Sequence, residues 1–162
     1  MAPEQRVYNE CLRDDVPIKL YFDIEWRRDG NLHLDERVVL SRIIEVVRRE
    51  LGLPDLDSFL ASASSNEKVS HHLIFQAAMP KKEIVKKFVA HVVFCLQREN
   101  APKTSAGHPC GIDMAVYNRN CVFRILGSHK MKDPTRKLAV AGSKLTEELL
   151  YQSFIGIFKG SD

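Results

Sequence analysis

Two acidic residues stand two apart in a stretch that alternates apolar and polar positions: Asp23 and Glu25, within Ile18-Lys19-Leu20-Tyr21-Phe22-Asp23-Ile24-Glu25-Trp26. Side chains two apart on a strand leave the same face. Two carboxylates held on one rigid face repel each other unless a positive charge sits between them. A divalent cation suits that place, because hard cations prefer carboxylate oxygens. The ordinary alternative is an exposed acidic pair at a strand end.

A second set shows the same spacing. Lys68, Ser70 and His72 alternate with Val69, His71 and Leu73. An ammonium, a hydroxyl and an imidazole on one face are hydrogen-bond donors suited to phosphate oxygens. His71 points the other way and is expected as a packed or edge histidine. Asp113 stands alone between Ile112 and Met114 and needs a metal or an arginine as partner if it is buried. Downstream follow Arg119, Arg124, His129 and Lys130, a second set of basic groups. Three acids for metals and two basic sets for phosphates make up, on paper, a two-metal phosphoryl-transfer site.

The elements that must position these groups follow from periodicity. Ile18 to Trp26 is expected as a strand whose even-numbered residues face a core, with Lys19, Tyr21, Asp23 and Glu25 on the other face. Asp29-Gly30-Asn31 reads as a turn. A helix is expected from Asp35, its N-cap, to Leu51, stopped by Gly52 and Pro54. Ser58 to Ser64 and Lys68 to Gln76 read as a hairpin, turning at Ser65-Asn66-Glu67. Pro80 opens a second helix to Arg98, with Ile84, Val85, Phe88, Val89, Val92, Val93 and Leu96 as its apolar face. Ile112 to Tyr117 and Cys121 to Leu126 read as two more strands, and Ser143 to Phe158 as a helix. The order predicts an α+β layer structure, helices packed on a largely antiparallel sheet.

Composition sets the bounds. A chain of 162 residues, 44% hydrophobic and 28% charged, is expected as one globular domain. No apolar run approaches the roughly 20 residues of a membrane-spanning helix, so no membrane partner is expected. Met1 to Arg13 has no hydrophobic stretch of the secretory kind, which points to an intracellular protein. The cysteines Cys11, Cys95, Cys110 and Cys121 form no CxxC pair, so reduced thiols are expected, with Cys95 as a small core residue. The net charge of +3 is mildly basic. The basic clusters Arg27-Arg28, Lys81-Lys82, Lys86-Lys87, and Lys130, Lys132, Arg136 and Lys137 are expected as solvated surface, each a weak pointer to nucleic acid.

Three stretches together resemble a known family. Lys19 to Glu25 resembles the first motif of the primase-polymerase family of the archaeo-eukaryotic primase superfamily, where D-x-E holds metals. Ser64 to Phe75 looks like the second motif, whose S-x-H core binds the incoming nucleotide. Asp113 to Lys130 looks like the third, with an acid completing the metal site and basic residues touching the nucleotide. The three stand in the family's order and cover about a third of the chain.

The resemblance implies a palm related to the RNA-recognition fold (an RRM-like antiparallel sheet with packed helices), plus a small α/β unit. It implies Asp23, Glu25 and Asp113 as catalytic ligands of two Mg²⁺ or Mn²⁺ ions, and Lys68, Ser70, His72, Arg124 and Lys130 as nucleotide-binding residues. The implied activity is template-directed nucleotidyl transfer in DNA replication, damage tolerance or restart. The implied partners are nucleoside triphosphates, a single-stranded or primed DNA template, and a single-strand-binding protein or other replication factors, in the nucleus or mitochondrion of a eukaryote. Cys121 stands where the family pattern has an arginine. The family's Cys/His zinc module is not seen, which favours extension of a primer over its synthesis. The alternatives are a decayed nucleic-acid-binding paralogue and a two-metal nuclease.

Overall fold

The computed structural model describes residues 8–118, 122–130, 133 and 135–156. Arg119, Cys121 and Lys132 lie outside the described residues. The element order is β1 (Asn9–Cys11), β2 (Ile18–Arg27), α1 (Glu36–Leu51), β3 (Ser58–Ser62), β4 (Lys68–Met79), α2 (Lys82–Arg98), β5 (Val122–Arg124) and α3 (Glu147–Ser153), with a 3₁₀ turn at Ala115–Tyr117. The strands form two antiparallel sheets, one in the order β2-β4-β3 and a smaller one pairing β1 with β5. The architecture is α+β and compatible with a primase-like fold.

The core lies between the larger sheet and the two long helices. α1 starts where Asp35 accepts hydrogen bonds from Arg37 N at 2.9 Å and Val38 N at 3.4 Å. It stops at Gly52, whose φ of 65° is the left-handed cap only glycine adopts without strain. Between these caps the helical spacing buries Val39, Ile43, Val46 and Val47. α2 buries Val85, Val89, Val92 and Leu96 against the same core. Each such side chain contributes about 1.5–3 kcal/mol on burial.

β2 runs further into the core than simple alternation implies, and Ile18 to Phe22 are buried on both faces. Its partner β4 bulges near the start of β2. Tyr21 pairs with Ile74 but Lys19 with Ala78, two residues along β2 against four along β4. The Lys19 Nζ donates to the Tyr151 and Gln152 carbonyls at 2.9 and 3.3 Å, at the C-terminal end of α3, where the helix dipole favours a cation.

Several expectations need correction. Ile112 makes one antiparallel bridge, to Ile24, and the chain then turns into the 3₁₀ segment rather than running on as a strand to Tyr117. The cause is local: Asp113 Oδ1 accepts from Ala115 N at 2.8 Å, an Asx-type turn that competes with sheet pairing. β5 is shorter than Cys121 to Leu126 and pairs with β1, which alternation alone does not announce in three residues. α3 is shorter than Ser143 to Phe158, because Thr146 caps it from Leu149 N at 3.2 Å and Phe154 leaves helical geometry. Lys82 is not solvated surface. It is buried, with Nζ 2.6 Å from Asp14 and 2.9 Å from the Asn118 carbonyl. Cys95 is half-buried at the edge of α2 rather than in the core.

Candidate active site and metal centre

Strand register assembles the site. Across the β2–β4 ladder Asp23 stands opposite His72, Glu25 opposite Ser70, and Arg27 opposite Lys68. Directly opposed residues share a face, so the acids and the donors expected for phosphate lie on one surface. On the free edge of β2, Glu25 N donates to the Gly111 carbonyl and Asp113 N donates to the Asp23 carbonyl, both at 2.9 Å. With Ile24 bridged to Ile112, this antiparallel register sets Asp113 opposite Asp23, on the same face.

Gly111 makes that approach possible. Its φ is +68°, and a Cβ there would meet the Trp26 ring at 2.7 Å and the Glu25 carbonyl at 3.1 Å. A side chain would push the Asp113 segment off the edge of β2.

The site is a cavity of about 320 Å³ lined by Asn9, Asp23, Glu25, Ser70, His72, Val116, Phe123, Arg124, His129 and Lys130. Six of the eight expected site residues line one cavity, Asp23, Glu25, Ser70, His72, Arg124 and Lys130, while Asp113 adjoins it through Asp23 and Lys68 through Glu25. Lys68 itself does not line it. Its Nζ pairs with Glu25 Oε2 at 2.8 Å, and the residue lines a neighbouring groove with Arg27, Ser65, Asp133 and Arg136. Arg124 donates to the Arg136 carbonyl at 3.2 Å.

The electrostatics are those of a crowded acidic centre. Burial, then Glu25 and Asp113, push the Asp23 carboxyl up to about 7, against the opposing pull of Lys130 and Lys68. Its Oδ1 is buried and accepts no hydrogen bond from any described residue. A buried carboxylate oxygen without a donor, beside two further carboxylates, is a hard-oxygen donor set for a divalent cation, so Mg²⁺ or Mn²⁺ fits these residues. The three acids are not drawn together as tightly as some ligand sets. Among the described residues, only Glu50, His91 and Cys95 bring three ligand atoms all within 4.8 Å of one another.

His72 is held neutral. Burial, with Arg124 and Lys130 nearby, pushes its imidazole down to about 3. Its ring stacks on Phe123 at 3.9 Å between centroids, and Nε2 stands 3.9 Å from Asp23 Oδ1. A neutral imidazole donates one hydrogen bond and accepts another, so His72 adds no charge to the cavity that Arg124 and Lys130 also line. His71, on the opposite face, bonds Glu36 Oε2 at 2.9 Å, the packed role expected of it.

The sequence reading missed Asn9, Phe123 and Val116 as lining residues. Phe123 had a signal in hindsight: an aromatic flanked by Val122 and Arg124 in a short strand next to a cation-rich stretch. Asn9 had none, because three-residue β1 carries no periodicity. Tyr21 and Tyr117 back two of the lining residues: Tyr21 Oη donates to the Val116 carbonyl at 3.1 Å, Tyr117 Oη donates to the Tyr21 carbonyl at 2.6 Å, and the Tyr21 ring packs 5.0 Å from both Tyr117 and Phe123.

No family model matches the chain. The chain is similar to the DNA-directed primase/polymerase protein of Danio rerio, 32% identical over an alignment of 98 residues that covers 52% of this chain and 18% of that protein. The match thus spans less than a fifth of the length of that curated relative, a likeness at the level of a primase-polymerase-like relationship.

Proposed function

We propose that this chain is a metal-dependent nucleotidyltransferase of the primase-polymerase type, adding nucleotides to a primed DNA strand on a template. The observation that carries this reading is the register that puts Asp23, Glu25 and Asp113 on one face with Ser70 and His72, beside a cavity that Arg124 and Lys130 also line. Carboxylates and cations around one cavity suit a ligand that is a polyphosphate carrying divalent metal.

Asp23, Glu25 and Asp113 would hold two Mg²⁺ or Mn²⁺ ions. Ions held there would supply charge neutralisation for phosphate oxygens and would favour the ionised form of an attacking hydroxyl. The chain's own residues supply position and charge. Arg124 and Lys130 offer donors to the phosphate oxygens and fix the triphosphate against the acidic wall. Ser70 and the neutral His72 each offer one further donor, and Phe123 fixes the plane of the His72 ring. Lys68, paired with Glu25, tempers the acidic charge. A DNA template and nucleoside triphosphates are the partners this reading requires.

The test is binding of a non-hydrolysable nucleoside triphosphate with and without Mn²⁺. The reading expects tight binding only with metal, and its loss in Asp113→Asn. Metal-independent nucleotide binding, unchanged in that variant, would point to a nucleic-acid-binding module without the chemistry.

A further inference from the structure

Away from that cavity, three side chains from two helices converge on one point. Glu50 is the penultimate residue of α1, and His91 and Cys95 lie one turn apart on α2. His91 Nε2 stands 2.8 Å from Glu50 Oε2 and 3.6 Å from Cys95 Sγ, and all three ligand atoms lie within 4.8 Å of one another. None of them lines the acidic cavity.

We propose that Glu50, His91 and Cys95 form a binding site for a transition-metal ion of the Zn²⁺ class, which staples the last turn of α1 to α2. Four features of these residues support it. First, the distances fit: zinc bonds of about 2.0–2.1 Å to nitrogen and 2.3 Å to sulfur at a tetrahedral angle put those ligands about 3.6 Å apart, the His91–Cys95 separation. The Glu50–His91 contact is shorter than a shared metal allows and must open by roughly half an ångström, which exposed side chains do readily. Second, the i, i+4 spacing on α2 fixes two ligands on one helix face before any ion arrives.

Third, the carboxylate is already oriented. Arg49 Nε donates to Glu50 Oε1 at 3.2 Å, and the same guanidinium grips Glu99 at 2.7 and 3.0 Å. That leaves Oε2 turned toward His91, the outer support that metal-ligating carboxylates use. Fourth, the donors are chemically distinct from those of the cavity. Thiolate and imidazole select Zn²⁺, Co²⁺ or similar ions, whereas the all-carboxylate set of Asp23, Glu25 and Asp113 suits Mg²⁺ or Mn²⁺. The His91 side chain is half exposed, so the fourth coordination position is open to solvent.

Binding releases the Cys95 thiol proton to solvent, moves the His91 ring proton from Nε2 to Nδ1, and forms metal–sulfur and metal–nitrogen bonds, with no change in oxidation state. The proposal is independent of the activity assigned to the cavity.

The probe is Co²⁺, titrated into metal-stripped protein and followed by absorption. The expected result is a thiolate-to-cobalt charge-transfer band that saturates at one equivalent for this site, with visible bands of tetrahedral intensity, displaced by Zn²⁺. Cys95→Ser should remove the charge-transfer band, His91→Ala should weaken binding at least tenfold, and Arg49→Ala should weaken it about tenfold through loss of Glu50 orientation. Cys11→Ser and Asp23→Asn should leave the band intact. A charge-transfer band that survives Cys95→Ser, or none in the unaltered protein, would overturn the proposal and leave these residues as a hydrogen-bonded triad. Circular dichroism of each variant separates ligand loss from unfolding.

Discussion

Replacing Asp23 with asparagine should make the metal-free protein more stable at alkaline pH while removing its chemistry. The carboxyl is raised from 3.8 to about 7 by burial and by Glu25 and Asp113. A group raised on folding contributes stability that is fully present below its unfolded value, here 3.8, and lost as pH rises through its folded value, here about 7. At about 1.4 kcal/mol per unit, ionised Asp23 costs the native state on the order of 4 kcal/mol at pH 8. Asparagine removes that charge but leaves an amide where Oδ1 already accepts no hydrogen bond from the described residues. An unpaired amide costs about 1–3 kcal/mol, so the net gain is about 1–3 kcal/mol, or a few degrees to roughly 10 °C in Tm. The assay is thermal unfolding of both proteins in chelator, at pH 4 and pH 8. Asp23→Asn should win at pH 8, and the gap should close or reverse at pH 4, where both side chains are neutral. Adding Mn²⁺ should raise the Tm of the unaltered protein alone. A variant that is less stable at pH 8, or equally favoured at both pH values, would refute the claim that Asp23 is a strained, crowded carboxylate.

Three further predictions follow from neighbouring groups. His72, pushed down to about 3 by burial, loses stability for the fold as pH drops below its unfolded 6.5, so His72→Gln should flatten the acid limb between about pH 6.5 and 3 in denaturant titrations. Lys68→Met removes the 2.8 Å pair with Glu25 and one of the two cations that lower Asp23. The Asp23 carboxyl should then titrate higher by NMR, with a stability loss of up to about 1 kcal/mol at pH 8, and an unmoved titration would contradict the charge balance drawn for the site. Gly111→Ala meets the Trp26 ring at a left-handed φ of +68°, which should cost about 2–4 kcal/mol in urea unfolding and weaken Mn²⁺ binding as Asp113 is displaced.

The sequence made the acidic and donor faces legible because each lies on a long strand whose alternation is unbroken, Ile18 to Trp26 and Lys68 to Leu73. Both long helices were legible for a similar reason: Asp35 and Gly52 mark the ends of α1, and the apolar stripe on α2 repeats for four turns. What failed was short or tertiary in origin. β1 and β5 are three residues each and exist because they pair with one another across 110 residues of chain, so no local pattern announces them. Asp113 stands out in the sequence as a lone acid, but its position opposite Asp23 comes from a two-hydrogen-bond bridge and a glycine under Trp26, not from a strand of its own. Lys82 is hidden from a sequence reading because polarity reads as exposure, whereas Asp14 and the Asn118 carbonyl satisfy its ammonium group in a buried site.

The most direct test of nucleotidyl transfer is extension of a labelled primer annealed to a DNA template, with deoxynucleoside triphosphates and Mn²⁺ or Mg²⁺. The account predicts primer lengthening that follows the template, requires metal, and is abolished by Asp23→Asn and Asp113→Asn in proteins that remain folded. Metal-dependent shortening of the primer would mean a nuclease instead. Extension that survives both substitutions would contradict the assignment of the carboxylate face as the catalytic centre.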